Sequence, residues 1–261
     1  MKLCLLLLPS NKDVCDCNLN RETKDVYDKL QINKIIKNAH ECGFSKIVIV
    51  RSESDNSNSI VDYKGIDVKI INLHKSKSWV PKWLKPQLSN EMVIYGDNHS
   101  LLYAKPYINE PFIVLDTSCY LSKEILFELY QKAISLQGLN RTYFSVCSNN
   151  HLRMDKGNAI LCKTDFHLNL QDFSDCYLRT IKSQFVLNEL NVLKHINELC
   201  CLNIWLLTPD YFELSEMQFE SFLIEKEESE DKNFKIHKVM NDLLLKDMVT
   251  CRAIVLDDLV F

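Results

Sequence analysis

Met1-Lys2-Leu3-Cys4-Leu5-Leu6-Leu7-Leu8-Pro9-Ser10-Asn11-Lys12-Asp13-Val14-Cys15-Asp16 opens the chain and decides its fold class. The continuous apolar run from Leu3 to Leu8 reads as a strand buried on both faces, the pattern of a parallel sheet in an α/β protein. A nucleotide-binding chain normally follows such a strand with glycines, so that backbone N–H groups can reach phosphate. Here the strand meets Pro9, which has no N–H to offer. Asp13 and Asp16 then place negative charge where a triphosphate would lie. Only five of the 261 residues are glycine, and none stands just after this strand. The opening predicts a nucleotide-handling frame without the usual phosphate cradle.

The following segments supply neighbours for that strand. Val26, Leu30, Ile32, Ile35, Ile36 and Ala39 recur at helical spacing up to Cys42, and Gly43 suits the position after a helix C-terminus. Lys46-Ile47-Val48-Ile49-Val50 is a second buried strand, which completes a β-α-β unit. Ser52 to Ser59 reads as a loop and Ile66 to Ile71 as a more exposed strand. Trp79 to Pro86, with two tryptophans and two prolines, reads as an ordered surface loop. Asp97 or Asn98 is placed to cap a helix from Leu101 to Tyr107. Phe112-Ile113-Val114-Leu115 is another buried strand, and Ser122 caps a helix from Lys123 to Leu136 that Gly138 ends. Beyond Arg141 the pattern changes to short strands at Tyr143 to Cys147, Ala159 to Cys162, Cys176 to Ile181 and Asn203 to Leu207. Helices from Glu216 to Ile224 and from Ile236 to Leu245 follow, and Ala253 to Leu256 forms the last strand.

Composition excludes several function classes. With 46% hydrophobic and 25% charged residues, the chain can bury a large core and is not a disordered segment. A net charge of −4 with dispersed lysines argues against general nucleic-acid binding. The eleven cysteines are odd in number and mostly sit in apolar runs, which predicts a reduced, cytoplasmic protein without a disulfide framework. Leu3 to Leu8 is too short for a signal peptide core, and no run approaches the roughly 20 apolar residues of a membrane span. The histidines lack metal-ligand spacing, Cys15 and Cys17 have no second ligand pair, and Asp55 to Asn58 lacks the glycine and glutamate of a calcium loop.

Four stretches carry more information when taken together. Leu30 to Val50 places a helix, Gly43 and a strand in order, and Gly96-Asp97-Asn98-His99-Ser100-Leu101 joins a glycine turn to a helix. Pro111-Phe112-Ile113-Val114-Leu115-Asp116-Thr117-Ser118-Cys119 is an apolar strand ending in polar residues, and Leu202-Asn203-Ile204-Trp205-Leu206-Leu207-Thr208-Pro209 is a strand stopped by proline. This set resembles the nucleotidyltransferases that join a nucleoside triphosphate to a phosphorylated sugar or polyol, in particular the polyol-phosphate cytidylyltransferases. The resemblance implies an α/β fold, a three-layer Rossmann-like mixed sheet of the glycosyltransferase-A type. It also implies a single domain over residues 1–261, with a nucleotide-binding half at 1–138 and an acceptor-side half at 139–261.

The same resemblance implies where a site would lie. In that family Mg²⁺ held on two aspartates assists attack on the α-phosphate. The first aspartate's place falls on Ser118, which leaves Asp116, two residues earlier on the same strand face, as the candidate metal ligand. The second would follow the aromatic that Phe261 matches, past the last residue given, and Asp257 and Asp258 read as tail charges. Lys24 and Lys29 are the candidate catalytic lysines, or else solvated charges on a helix. Arg21 is a candidate for the loop arginine, or half of a surface pair. Ser10, Gly96, Asn98 and Ser100 are the candidate nucleotide-binding residues, with Gly96 serving close approach to a base or a simple turn. Asn203 stands where the family has glycine, and Lys182 is the candidate lysine of the second half. The expectation is a non-catalytic protein with an eroded active site and no cofactor, acting as a regulatory or structural partner of another subunit or paralogue. The alternative is an active Mg²⁺-dependent cytidylyl- or uridylyltransferase.

Overall fold

The computed structural model describes residues 2–9, 21–51, 65–73, 96–117, 119, 121–148, 157–181, 184–187, 198–225 and 233–256. Strand β1 (Cys4–Leu8) lies inside a ten-stranded mixed sheet. It runs parallel to β2 (Lys46–Arg51) on one edge and to β4 (Phe112–Asp116) on the other, with β3 (Asp67–Asn72) parallel and outside β2. Strand β9 (Glu198–Leu207) is antiparallel to β4, and its other edge carries β5 (Thr142–Ser148), to which β10 (Thr250–Val255) adds in parallel.

The first half of β9 pairs instead with β6 (Gly157–Thr164), followed by β7 (Leu170–Ile181) and β8 (Gln184–Leu187), all antiparallel. A bridge from Asn169 to Arg252 returns the start of β7 to β10. Strands β5, β9, β6, β7 and β10 thus form a closed circuit of pairings beside the open parallel part.

Alternation along β1 explains the three layers. Cys4, Leu6 and Leu8 pack in one core cluster with residues of α2 (Asp97–Leu102), α4 (Tyr211–Glu225) and α5 (Ile236–Leu245). Leu5 and Leu7 point the other way, with Leu3, toward α1 (Arg21–Cys42) and α3 (Lys123–Ile134). A strand covered on both faces must be apolar at every position, and each fully buried leucine contributes about 1.5–3 kcal/mol. That is why the opening run decides the fold.

Several ends follow their local chemistry. Gly43 has φ 97°, and the pair Gly43 N–H to His40 O and Phe44 N–H to Ala39 O closes α1 in a Schellman motif. The Ser122 hydroxyl accepts from the Ile125 N–H and caps α3.

Other expectations need correction. The α2 helix starts at Asp97 and ends at Leu102, with a separate 3-10 turn at Lys105–Tyr107, because Pro106 cannot continue an α-helix. Its N-cap is Gly96, not Asp97 or Asn98. The α4 helix begins five residues earlier than its amphipathic half predicts, since Tyr211, Phe212, Leu214 and Ser215 are buried around most of the helix surface. Strand β9 extends back to Glu198, and β8 is an additional strand.

Eight described cysteines are free thiols, and all but Cys119 are buried. Burial pushes the Cys4, Cys42, Cys201 and Cys251 thiols up, away from the reactive thiolate. Under native conditions a thiol reagent is expected to label Cys119 far faster than these four, as read by peptide mass mapping. Equal rates at Cys201 and Cys119 would contradict the buried packing. Cys15 and Cys17 lie outside the described residues.

Candidate functional site

The order β3-β2-β1-β4 puts a topological switch between β1 and β4, where the strand order reverses: the chain runs from β1 outward to β2 and β3 and returns to β4 on the other edge of β1. Ligands of open α/β sheets bind outside the carboxyl ends of the strands at such a point. Leu8 and Asp116 pair across it, and the Thr117 N–H donates to Leu8 O at 2.9 Å. Phe112 and Val114 face the α2 side, so alternation turns the half-buried Asp116 to that side as well. On the other side of β1 from β4, the Arg51 Nε donates to the Asn72 Oδ1 at 2.7 Å and joins the ends of β2 and β3.

A metal pair would need a second carboxylate near Asp116. Val114 pairs with Trp205, Ser145 with Trp205, and Ala253 with Ser145, so β10 lies three strands away from β4. At about 4.8 Å per strand the separation is about 14 Å. The charged residue within β10 is Arg252, not an acid. Among the described residues no group of three or more His, Cys, Asp or Glu side chains could hold a metal ion. The carboxylates that could complete a two-aspartate Mg²⁺ site from the β10 side, Asp257 and Asp258, follow that strand and are not among the described residues. Phe261, Ser118 and Lys182 also lie outside the described residues, as does Ser10. Lys24 and Lys29 lie on α1 near its start.

The segment from Gly96 to Ser100 is fastened into the interior. Gly96 adopts φ 124° and ψ −173°, and a Cβ there would stand 2.6 Å from the Phe234 carbonyl oxygen. Asp97, only 9% exposed, accepts the Ile236 N–H on Oδ1 at 2.9 Å. It thereby caps α5, whose own N-cap residue, Lys235, makes no side-chain cap. The Asn203 Nδ2 donates to the Asp97 Oδ2 at 3.4 Å, and the Trp205 Nε1 donates to the Asn203 Oδ1 at 3.0 Å. Asn98 is fully buried, donating to the Ser215 Oγ at 2.8 Å and accepting from the Tyr211 hydroxyl at 3.0 Å. His99 stacks on Phe219 at 4.6 Å, and the Ser100 hydroxyl donates to Gly96 O at 3.2 Å. This network ties α2 to β9, α4 and α5.

Asn203 explains itself geometrically. Its φ of 55° lies in the left-handed region, where glycine and asparagine are the usual occupants. The side chain fills space between β9 and α2 that a glycine would leave open.

Burial raises the Asp97 carboxyl above its ordinary range, opposed in part by the Ile236 N–H, the nearby His237 and Asn203. The folded state therefore holds this proton more tightly than the unfolded chain. Its stabilising contribution is complete below the ordinary aspartate range and is lost as pH rises through the raised value. The stability difference between wild type and Asp97→Asn is expected to shift against wild type from acid to neutral pH, measured by denaturant unfolding at each pH. A difference that grows in favour of wild type over that span would contradict the assignment.

A cleft of about 330 Å³ at the amino ends of β2 and β3 collects Lys46, Lys69 and Lys105. These lysines have partners: Lys46 pairs with Glu110 at 3.2 Å, Lys105 with Glu216 at 2.6 Å, and Lys69 sits over the Tyr107 ring. This cleft lies at the end of the sheet opposite the switch point.

With the geometry in place, solved structures decide the fold. The chain is similar to a UDP-glucose pyrophosphorylase complexed with UDP-glucose, with TM-score 0.58 and 14% identity over 97% of this chain and 90% of that one. It is similar to the inositol-1-phosphate CTP transferase from T. maritima, with TM-score 0.61 and 13% identity over 99% and 86%. This chain has the sugar-phosphate nucleotidyltransferase fold. HddC from Yersinia pseudotuberculosis is similar in the same way, with TM-score 0.53 and 12% identity over 98% and 90%. No family model matches the sequence, and no curated protein matches it either. By strand alternation, Asp116 faces the same side of the sheet as the α2 helix that follows Gly96. No helix among the described residues is long and apolar enough to cross a membrane.

Proposed function

We propose that this nucleotidyltransferase-fold protein works by binding another protein, a subunit or an active relative of the same fold, and not by nucleotidyl transfer. The reading rests chiefly on the Gly96 to Ser100 segment. Residues expected to meet a nucleotide spend their hydrogen bonds and their space inside the protein: Gly96 against Phe234, Asp97 on α5, Asn98 between Ser215 and Tyr211, and Ser100 on Gly96. A side chain held this way in the core cannot also reach a ligand without losing bonds worth about 0.5–1.5 kcal/mol each. The Pro9, Asp13 and Asp16 sequence after β1 supports the same reading.

The experiment is an assay of pyrophosphate release with CTP or UTP, Mg²⁺ and a panel of sugar and polyol phosphates. No release above background is expected, and Asp116→Asn should leave both that result and the unfolding midpoint unchanged. Mg²⁺-dependent release that Asp116→Asn abolishes would establish the opposite reading, an active cytidylyl- or uridylyltransferase.

A further inference from the structure

We propose that the groove between α3 and β10, together with Phe166 beside it, is the surface through which two copies of this chain pair about a twofold axis. The groove has a volume of about 440 Å³, enough for an aromatic ring, with Phe144, Leu168 and Ile254 among its apolar lining and Glu128, Lys132 and Arg252 at its rim. Phe166 is 94% exposed and lies two residues from Leu168, within about 7 Å along the chain. A lone exposed leucine is ordinary, but a large aromatic presented almost wholly to water beside an apolar groove marks an interaction site.

The turn that presents Phe166 is built to hold it still. The Asp165 carboxylate accepts from the His167 N–H at 2.8 Å, the Asn169 N–H at 2.9 Å and the Asn169 Nδ2 at 2.8 Å. The Ala253 N–H donates to Leu168 O at 2.8 Å, and Arg252 donates to His167 O at 3.2 Å. Leu168 is kept at φ 62°, a conformation a leucine adopts only when its surroundings impose it. Ordering the knob beforehand removes an entropy cost from association.

A second copy is the occupant because knob and groove adjoin on one molecule. A twofold interface brings the same patch together with itself, so the ring of each copy can enter the groove of the other and the contact closes on two chains. The rim charges agree. With the two α3 helices antiparallel across the axis, Glu128 of each copy faces Lys132 of the other, an opposite-sign pairing that a self-association needs. The patch lies on the α1–α3 side of the sheet, opposite the Gly96 segment, so the inference stands whether or not the protein is catalytic.

The test is sedimentation velocity over a concentration series. Wild type is expected to move from monomer to dimer. Phe166→Ser, at a position too exposed to affect folding, should weaken dimerisation by ~10-fold or more while leaving circular dichroism unchanged. Glu128→Lys and Lys132→Glu should each weaken self-association through like charges across the axis. Mixing the two variants should restore dimers, because both rim contacts regain opposite signs. A wild type that stays monomeric throughout would overturn the proposal. So would a dimer indifferent to Phe166→Ser, or charge variants whose mixture shows no recovery.

Discussion

Replacing Gly96 with alanine is expected to destabilise the protein by about 2–6 kcal/mol, a large part of the stability of an ordinary domain. Two effects add. At φ 124° and ψ −173° the backbone lies where essentially only glycine is at ease, and a residue with a side chain pays about 1–3 kcal/mol there. The new methyl would also stand 2.6 Å from the Phe234 carbonyl oxygen, a backbone atom at the entry to α5 that cannot swing aside. Forcing that contact apart costs about 1–3 kcal/mol more. The result separates two roles for this glycine. If it served only the approach of a base, Gly96→Ala would weaken nucleotide binding and leave the unfolding midpoint in place. Thermal or denaturant unfolding decides between them, and an unchanged midpoint would contradict the account.

The second large effect lies at Trp205. Its side chain is fully buried, with the ring 5.4 Å from that of Phe173 and the indole Nε1–H on Asn203. Trp205→Ala is expected to cost about 3–5 kcal/mol, as for other large aromatic truncations in a packed core. Trp205→Phe keeps most of the apolar contact but withdraws the donor to the Asn203 Oδ1, and should cost about 1–3 kcal/mol. If Asn203 holds Asp97 as the distances indicate, Trp205→Phe and Asp97→Asn will show coupled effects in a double-mutant cycle. Simple additivity would mean the two sites are independent.

Much of the fold was legible because it rests on local signals. The opening apolar run, the helix ended by Gly43, the Lys46 strand, the Phe112 strand, the Ser122 cap and the α5 helix from Ile236 to Leu245 each carry their own periodicity or punctuation. The elements that were missed or shortened depend on distant partners. Residues Glu198 to Leu202 become strand through pairing with β5 and β6, and the first half of α4 is buried on nearly every side, which erases the amphipathic stripe.

The site was legible only in outline. The Gly96-Asp97-Asn98-His99-Ser100 run stood out as a turn joined to a helix, and the resemblance assigned it to a nucleotide. Nothing local in it announces that Asp97 would cap a helix beginning at residue 236, or that Asn98 would bond Ser215. Those contacts span 139 and 117 residues of sequence. Asn203 was visible as a departure from glycine, but its left-handed backbone and its bond to Asp97 were not.

The central claim is that a nucleotidyltransferase fold has here given up its nucleotide. Calorimetric titration of the full chain with CTP and with UTP, each in the presence of Mg²⁺, tests it most directly. The account predicts a dissociation constant weaker than about 1 mM, a binding free energy of only roughly −4 kcal/mol, for both nucleotides. Saturable binding in the micromolar range by either one would contradict it.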